Sequence, residues 1–536
     1  MTPPAVIHRW WQTGIIYQIY PRSFADTNRD GVGDLAGIRE RLPYLESLRI
    51  DAIWISPIYP SPMADFGYDI SDYTEIHPLF GSLGDFDALL KDAHERGMRV
   101  ILDFVPNHSS NQHPWFIDSR SDRSSDRREW YIWRDPAPGG GPPTNWRSVF
   151  GGSAWTFDPA TGQYYYHAFL PEQPDLNWRN PEVERAMLEV LRFWLDRGVD
   201  GFRVDVIWHL IKSEQMLDNP PNPDYEPHQS PYDELLPVYT VDQPEVHGII
   251  RTIRELFDAY DGERVLIGEI YLPVGRLISY YGENGGGVHF PYNFQLLTLP
   301  WSAREIAAAI DAYEALLPEY AWPNWVLGNH DKSRIATRVG EAQARVAAMM
   351  LLTLRGTATI YYGDEIGMTD VPIPPDRVQD PFEKNVPGRG LGRDPERTPM
   401  QWDATRHAGF SEVSPWLPIA PAAHGTVNVA SQAEDPRSML ALHRRLIELR
   451  RAEEALHAGT YSALEAAGDL IAFARKSDGS LFVIVLNLGS SAATYPMPSP
   501  EFRGRIELST HLDREAEPVA GRLRLRPDEG VVIRIG

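Results

Sequence analysis

The stretch Arg99–His108 reads RVILDFVPNH, and it decides the fold class. It is an apolar run that ends in polar residues, as expected of a strand buried on both faces. Seven other stretches follow the same plan, the last of them more weakly. They are Gly14–Pro21, Ala52–Pro60, Gly201–Val206, Arg264–Tyr271, Asn324–His330, Thr357–Ile366 and Val288–Phe294.

Helical patterns separate these strands. Phe86–Gly97 and Pro181–Gly198 repeat apolar residues at three- and four-residue spacing, and both end in Gly after a basic residue. A strand and a helix repeated eight times predict an α/β fold, the (β/α)8 TIM barrel. The same helical pattern recurs in Gln243–Tyr260, Ala303–Leu317, Ala342–Leu354 and Met439–Leu456.

The 536 residues exceed the ~250 that a barrel needs. We therefore expect the barrel in two parts, 1–104 and 178–456. Between them, 105–177 is rich in Trp, Tyr, Gly and Pro and is predicted to form an inserted domain after strand 3. A long loop at 367–402 should follow the eighth strand. The sequence pattern of 457–536 is one of strand pairs joined by turns, and it predicts a C-terminal antiparallel β-sandwich.

The composition excludes several classes of function. A net charge of −23 argues against a nucleic-acid or anionic-membrane partner. Because the chain has no cysteine, disulfides, thiolate metal sites and cysteine nucleophiles are excluded. No run of about 18 apolar residues predicts a membrane span, and the first residues lack the apolar core of a signal peptide. We expect a cytoplasmic protein; whether it is a monomer or a dimer is left open.

Polar residues follow the predicted strands where a barrel places its active site, at the carboxyl ends. With no cysteine and no serine elbow, several carboxyl groups indicate glycoside cleavage. One acid protonates the leaving oxygen, and a second carboxylate attacks or activates water. The polar residues are Asp103, Asn107, His108, Arg203, Asp205, Glu269, His330 and Asp331, and aromatic residues that could stack on a sugar are Tyr17, Tyr68, Phe150, Phe169 and Trp208.

Four of these segments carry a family resemblance. DFVPNH (103–108), GFRVDV (201–206), GEI (268–270) and NHD (329–331) resemble, in order and spacing, the glycoside hydrolases of family 13, the α-amylase group. QPDLNW (173–178) is similar to a segment of its bacterial α-glucosidase and oligo-1,6-glucosidase branch. The resemblance implies a retaining double displacement through a covalent glucosyl enzyme.

The resemblance also implies a role for individual residues. Asp205 corresponds to the nucleophile, Glu269 to the general acid/base and Asp331 to the third carboxylate. Arg203 is expected to keep a carboxylate ionised. The remaining substrate-binding residues implied or expected are Tyr68, Asp69, His108, Phe150, Phe169, Val206, His330 and Arg397.

Three positions bear on the substrate. Asp69 and Arg397 resemble the pair that grips the terminal glucose in exo-acting members, so release of single glucose units is expected. Val206 resembles the α-1,6 type, whereas DVIWHL (205–210) resembles α-glucosidases that accept maltose-type, aryl or alkyl glucosides. We therefore expect an α-glucosidase of short α-glucosides that also transfers glucose to hydroxyl acceptors. An oligo-1,6-glucosidase is the alternative, followed by a sucrose- or trehalose-active enzyme.

A rival from another class is a non-catalytic barrel like the heavy chains of amino-acid transporters. Those proteins carry a membrane helix and lack active-site acids. The sequence predicts no such helix, and it keeps Asp205, Glu269 and Asp331.

The loop Asp26–Asp34, DTNRDGVGD, is the candidate metal site. Its alternating oxygen-bearing residues start like a calcium loop, but a full EF-hand would need Glu where Gly37 stands. The resemblance implies one structural Ca²⁺, with Mg²⁺ or a metal-free turn as alternatives, and no organic cofactor. The implied ligands are Asp26, Asn28, Asp30, Asp34 and the carbonyl of Val32.

Overall fold

The parallel strands predicted from the sequence form one sheet that curls into a barrel. The structure is a computed structural model that describes residues 8–420, 425–499 and 501–536. Its first eleven strands are Ile15–Ile19 (β1), Ala52–Ile55 (β2), Arg99–Phe104 (β3), Trp133–Arg134 (β4), Trp155–Asp158 (β5), Gln163–Tyr166 (β6), Gly201–Val204 (β7), Val265–Gly268 (β8), Phe290–Pro291 (β9), Asn324–Val326 (β10) and Thr357–Tyr361 (β11).

The barrel sheet has the order β10-β11-β1-β2-β3-β7-β8-β9, and every ladder in it is parallel. Its two end strands are joined through one side chain. Asn324 accepts a hydrogen bond from the Asn293 N–H (2.9 Å) and donates one to the Pro291 carbonyl (2.6 Å). The weakest predicted strand, β9, is only two residues long and contains a proline, which cannot donate to a ladder. The TIM-barrel prediction is confirmed.

Helices alternate with the barrel strands at the predicted places. The helix Leu35–Ser47 is not among the predicted ones; Pro43 lies inside it. The helices of eight or more residues are Leu35–Ser47, Leu83–Glu95, Pro114–Ser121, Pro181–Asp196, Val246–Asp258, Ala303–Leu316, Glu341–Thr353 and Met439–Ala452. Shorter ones are Trp10–Thr13, Val274–Leu277, Gln295–Thr298, Ile335–Val339, Pro381–Asn385, Val429–Glu434 and Glu454–His457. Within the described part of the chain, none of them is long and apolar enough to cross a bilayer.

Two antiparallel sheets accompany the barrel. Strands β4, β6 and β5 form a small sheet between β3 and the helix Pro181–Asp196. At the C-terminus, eight strands form a second sheet that folds over its own apolar cluster, which includes Val485, Leu525 and Ile533. These strands are Thr460–Leu464 (β12), Leu470–Lys476 (β13), Leu481–Asn487 (β14), Ala493–Pro496 (β15), Arg503–Ser509 (β16), Pro518–Ala520 (β17), Arg522–Leu525 (β18) and Gly530–Ile535 (β19).

Candidate active site

A buried arginine on β7 brings three carboxyl groups together. Arg203 is 1% exposed, and its Nη1 donates to Asp205 Oδ1 at 2.6 Å and to Asp103 Oδ1 at 3.0 Å. Its Nη2 lies 2.8 Å from Glu269 Oε1. Because β3, β7 and β8 are neighbours in the barrel, residues at or just beyond their carboxyl ends meet at one point. The two expected reacting groups, Asp205 and Glu269, therefore lie side by side on one guanidinium.

The chain turns sharply directly after Asp205. Val206 adopts a left-handed conformation, with φ 37° and ψ 44°, and its N–H donates to Glu269 Oε2 at 2.9 Å. A β-branched residue rarely adopts this conformation, and such a position costs about 1–3 kcal/mol. The turn thus fixes Glu269 from the backbone while Arg203 holds it from the other oxygen.

The electrostatics of this pair suit acid–base chemistry. Burial raises the pKa of both Asp205 and Glu269, and the contact with Arg203 opposes the rise. Arg203 therefore acts in the expected direction on Asp205, but burial outweighs it. Two interacting carboxyl groups titrate as a pair. With one proton between them they supply a nucleophile and an acid, the two groups that glycoside cleavage needs.

The third carboxylate, Asp331, lies among cations. Its Oδ1 accepts hydrogen bonds from Arg397 Nη2 at 2.8 Å and from Arg393 Nη1 at 3.3 Å. Burial acts to raise the pKa of Asp331, but the positive charges of Arg397 and Arg393 outweigh it and hold that pKa well below its usual range. Asp331 is therefore a fixed negative charge on the cavity wall.

His330 is held between two tyrosine rings. The Tyr68 ring stacks on it at 5.5 Å with an interplanar angle of 2°, and the Tyr20 ring lies 5.7 Å away on a nearly parallel plane. Gln18 Nε2 is 2.8 Å from His330 Nδ1, and the Tyr68 hydroxyl is 2.7 Å from Nε2. Burial lowers the pKa of His330 well below its usual value, so the ring is neutral. Burial likewise lowers the pKa of His108, to about 4.

These groups open into one cavity of about 1590 Å³. Tyr17, in contrast, is fully buried, and its hydroxyl donates to Glu365 at 2.8 Å, so it is not a wall residue. The predicted residues that do line the cavity are Tyr68, His108, Phe150, Phe169, Asp205, Val206, Trp208, Glu269, His330 and Asp331.

The predicted pair of Asp69 and Arg397 is wrong. Asp69 is fully buried and turned into its own loop, where its oxygens accept from Ser61 Oγ and from two backbone N–H groups, each at 2.9 Å. Arg397 donates to Asp331 and, at 2.7 Å, to the His330 carbonyl. Asp69 therefore stabilises a loop, and Arg397 orients a carboxylate.

A different pair from the same two motifs meets in the cavity wall. Arg393 Nη2 donates to Asp65 Oδ1 at 2.7 Å, and its guanidinium lies 5.0 Å from the centre of the Phe150 ring. Both Asp65 and Arg393 line the cavity. The sequence does not single them out, because DFGYD contains two aspartates and RDPER two arginines, four residues apart in each case. The order of residues does not show which member faces the site.

The candidate metal loop offers oxygen atoms only, which fits a hard cation. Two of its side-chain oxygens accept hydrogen bonds from nearby backbone N–H groups. Asp30 Oδ1 accepts from the Val32 N–H at 2.8 Å, and Asp34 Oδ1 accepts from the Gly37 N–H at 2.7 Å and so caps the following helix. In the described ranges, no group of three His, Cys, Asp or Glu residues is placed to hold a metal. The implied ligand set also counts Asn28 and a carbonyl, so the site stays a prediction.

A family model describes most of this architecture. Residues 18–459 match the alpha amylase catalytic domain. The chain belongs to the alpha-amylase family. The matched range contains β2–β11, the last two residues of β1 and every residue of the cavity described above. The chain is a glycoside hydrolase.

Relatives within the alpha-amylase family match nearly the whole chain. The probable alpha-glucosidase of Rhizobium meliloti is 40% identical over 526 residues, which cover 95% of each chain. The oligo-1,6-glucosidase of Parageobacillus thermoglucosidasius is 35% identical and covers 98% of this chain and 99% of its own. Among solved structures, an alpha-glucosyl transfer enzyme has a TM-score of 0.93 at 40% identity, covering 99% of this chain and 100% of the other. The trehalulose synthase MutB from Pseudomonas mesoacidophila MX-45 has a TM-score of 0.91 at 35% identity, with the same coverage.

Proposed function

We propose that the protein is a retaining, exo-acting α-glucosidase that releases glucose from the non-reducing end of short α-glucosides. The observation that carries this is the shared guanidinium: Arg203 contacts both Asp205 and Glu269. A retaining glycosidase needs its two carboxyl groups close together, since one attacks the sugar directly, whereas an inverting one leaves room for a water molecule.

The reaction follows from these positions in two steps. The Asp205 carboxylate attacks the anomeric carbon while Glu269 gives its proton to the leaving oxygen, and the glycosidic bond breaks. In the second step Glu269 takes a proton from water, whose oxygen displaces Asp205 and frees glucose. Asp331, which stays ionised, stabilises the positive charge that develops on the sugar ring. An acceptor hydroxyl in place of water gives transfer instead of hydrolysis.

Release from the chain end is supported by the Asp65–Arg393 pair. The ion pair and the Phe150 ring beside it form one wall of the cavity that contains the catalytic groups. A wall of paired charges can hydrogen-bond the terminal hydroxyls of one glucose and leaves no path for a longer chain.

Linkage preference belongs to the same proposal. The similarity to alpha-glucosidases supports maltose-type substrates, and similarity to an alpha-glucosyl transfer enzyme supports transfer to hydroxyl acceptors. An oligo-1,6-glucosidase is the second candidate, favoured by Val206 in the cavity wall and by the similarity to two oligo-1,6-glucosidases. A sucrose- or trehalose-active enzyme is the third candidate; activity on sucrose is supported by the similarity to the trehalulose synthase MutB, a mutant of which was solved with the substrate sucrose.

We also propose that the loop Asp26–Asp34 binds one structural Ca²⁺, with Mg²⁺ as the alternative. The loop precedes the helix Leu35–Ser47, and Asp26 also accepts from Ser411 Oγ at 2.6 Å. An ion there would tie the first strand–helix connection to the segment around Ser411. The cytoplasmic location, the domain boundaries and the choice between monomer and dimer stay predictions.

The decisive test is Asp205→Asn, measured with p-nitrophenyl α-glucoside. The variant should lose all measurable turnover while its thermal unfolding stays that of the wild type; substantial remaining activity would contradict the nucleophile assignment. For the wild-type enzyme, NMR of the first glucose released should show the α anomer, because a β anomer would mean inversion. Chromatography of digests of maltose, isomaltose, sucrose and trehalose ranks the three candidate functions.

A further inference from the structure

One buried carboxyl group in the cavity wall accepts no hydrogen bond from any other described residue. Glu396 lines the cavity and is 4% exposed. A buried carboxyl group without a partner is costly, and native proteins rarely keep one without a reason. The other buried or half-buried acids of the wall all accept hydrogen bonds. The donors are Arg393 for Asp65, Arg203 for Asp205, the Val206 N–H for Glu269, Arg397 for Asp331, the Ser333 hydroxyl for Asp370, and backbone N–H groups for Glu383 and Asp394.

Two arginines of the cavity region donate hydrogen bonds to groups other than Glu396. Arg397, the next residue in the chain, donates to Asp331 and to the His330 carbonyl. Arg338 donates to backbone carbonyls, those of Ser333, Leu296, Leu297 and Leu327. Burial and the charge of Asp370 both raise the pKa of Glu396. Glu396 therefore lines the cavity with no donor from another described residue at its carboxyl group, so a ligand in the cavity can supply one.

The space itself restricts what that ligand is. Glu396 and Asp370 share one cavity with the reacting groups Asp205 and Glu269. The terminal glucose occupies the part around those groups, so the next unit of a substrate lies elsewhere in the same cavity. If that unit is a sugar it presents several hydroxyl donors, whereas a nitrophenyl or alkyl group presents none.

We propose that Glu396, with Asp370 beside it, binds hydroxyl groups of the sugar unit that follows the scissile bond. The carboxyl group distinguishes sugar leaving groups from aryl and alkyl ones, and by the same contact it selects sugar acceptors in transfer. This inference rests on the proposed α-glucosidase activity and names a specificity-determining residue for it.

The test compares two substrates that differ only in the leaving group. Maltose and p-nitrophenyl α-glucoside are hydrolysed by wild type, Glu396→Ala and Glu396→Gln, and the ratio of their kcat/KM values is measured. Glu396→Ala should lower the maltose-to-nitrophenyl ratio about tenfold, the effect of one lost hydrogen bond to a carboxyl group. Glu396→Gln keeps the shape and one acceptor oxygen, so its ratio should fall less, by about threefold. Asp376→Asn, on an exposed part of the same loop, is the matched control.

The outcomes separate this inference from the function on which it rests. Equal losses on both substrates would mean a structural role and would overturn it, as would an unchanged ratio in Glu396→Ala. If the alanine variant does not fold, the glutamine variant decides alone, and an unchanged ratio in it overturns the inference. A wild-type enzyme that releases no glucose from either substrate overturns the proposed function and this inference with it.

Discussion

Replacing Arg203 by lysine keeps the positive charge but removes the guanidinium that contacts both Asp205 and Glu269. The guanidinium makes three carboxylate contacts through two nitrogens, at 2.6 and 3.0 Å from Nη1 and 2.8 Å from Nη2. A lysine ammonium is a single point of charge and cannot bridge Asp205 and Glu269 in the same geometry. Losing one hydrogen bond to a charged group, about 1.5–3 kcal/mol, predicts a loss of about 10- to 100-fold in kcat.

The same substitution should move the pH profile in a definite direction. Arg203 opposes the rise that burial causes in the pKa of Asp205 and Glu269, so a weaker contact lets those pKa values rise further. The nucleophile must be ionised, and the acidic limb of kcat/KM should therefore shift to higher pH. KM should change little, because Arg203 does not line the cavity.

Initial rates on p-nitrophenyl α-glucoside between pH 4 and 9 measure both effects. The matched control is Arg197→Lys, which alters a surface pair with Asp87 that contributes little. Thermal unfolding of both variants shows whether the fold is kept. If Arg203→Lys retains more than half of wild-type kcat with an unshifted acidic limb, the shared guanidinium is not what positions Asp205 and Glu269 and sets their pKa values.

Three other perturbations test separate parts of the site. Arg393→Ala should raise KM for maltose about tenfold. Adding Asp65→Ala should raise KM little further, because the ion pair is already broken in the single variant. If initial rates show that the two substitutions raise KM by fully additive amounts, the proposed pair is contradicted. Val206→Thr should raise the ratio of maltose to isomaltose hydrolysis, and an unchanged ratio would refute a role of this side chain in linkage choice. Dialysis against EDTA should lower Tm by several degrees, and Ca²⁺ should restore it. Equal melting curves with and without chelator would contradict the proposal that the loop Asp26–Asp34 binds a metal.

The barrel and the carboxyl groups that meet at its rim could be predicted because each strand carries its own signal. An apolar run followed by a polar residue is local information, and the fold then brings Asp205, Glu269 and Asp331 to one rim. β9 gave a weak signal for a physical reason: it has two residues, one of them proline, and much of its connection to β10 runs through the side chain of Asn324.

The Asp65–Arg393 pair could not be predicted, because the signal that distinguishes its members is not local in the sequence. Asp65 and Asp69 stand in one loop, and only the loop's hydrogen bonds decide that Asp69 points inward and Asp65 faces the cavity. Glu396 was missed in the same way, because a glutamate between Pro395 and Arg397 carries no pattern. Its distinction is the lack of a partner, which is a property of the folded cavity alone.

The left-handed turn at Val206 has a consequence for protein engineering. Two demands fall on one position: a side chain in the cavity wall, and a backbone angle that L-residues adopt at a cost. Glycine would relieve that cost but would carry no side chain into the cavity. A mutant library at this position that is selected for heat resistance should therefore enrich glycine, whereas one selected for a narrow choice of linkage should enrich branched residues. Thermal stability and selectivity for linkage therefore favour different residues at position 206.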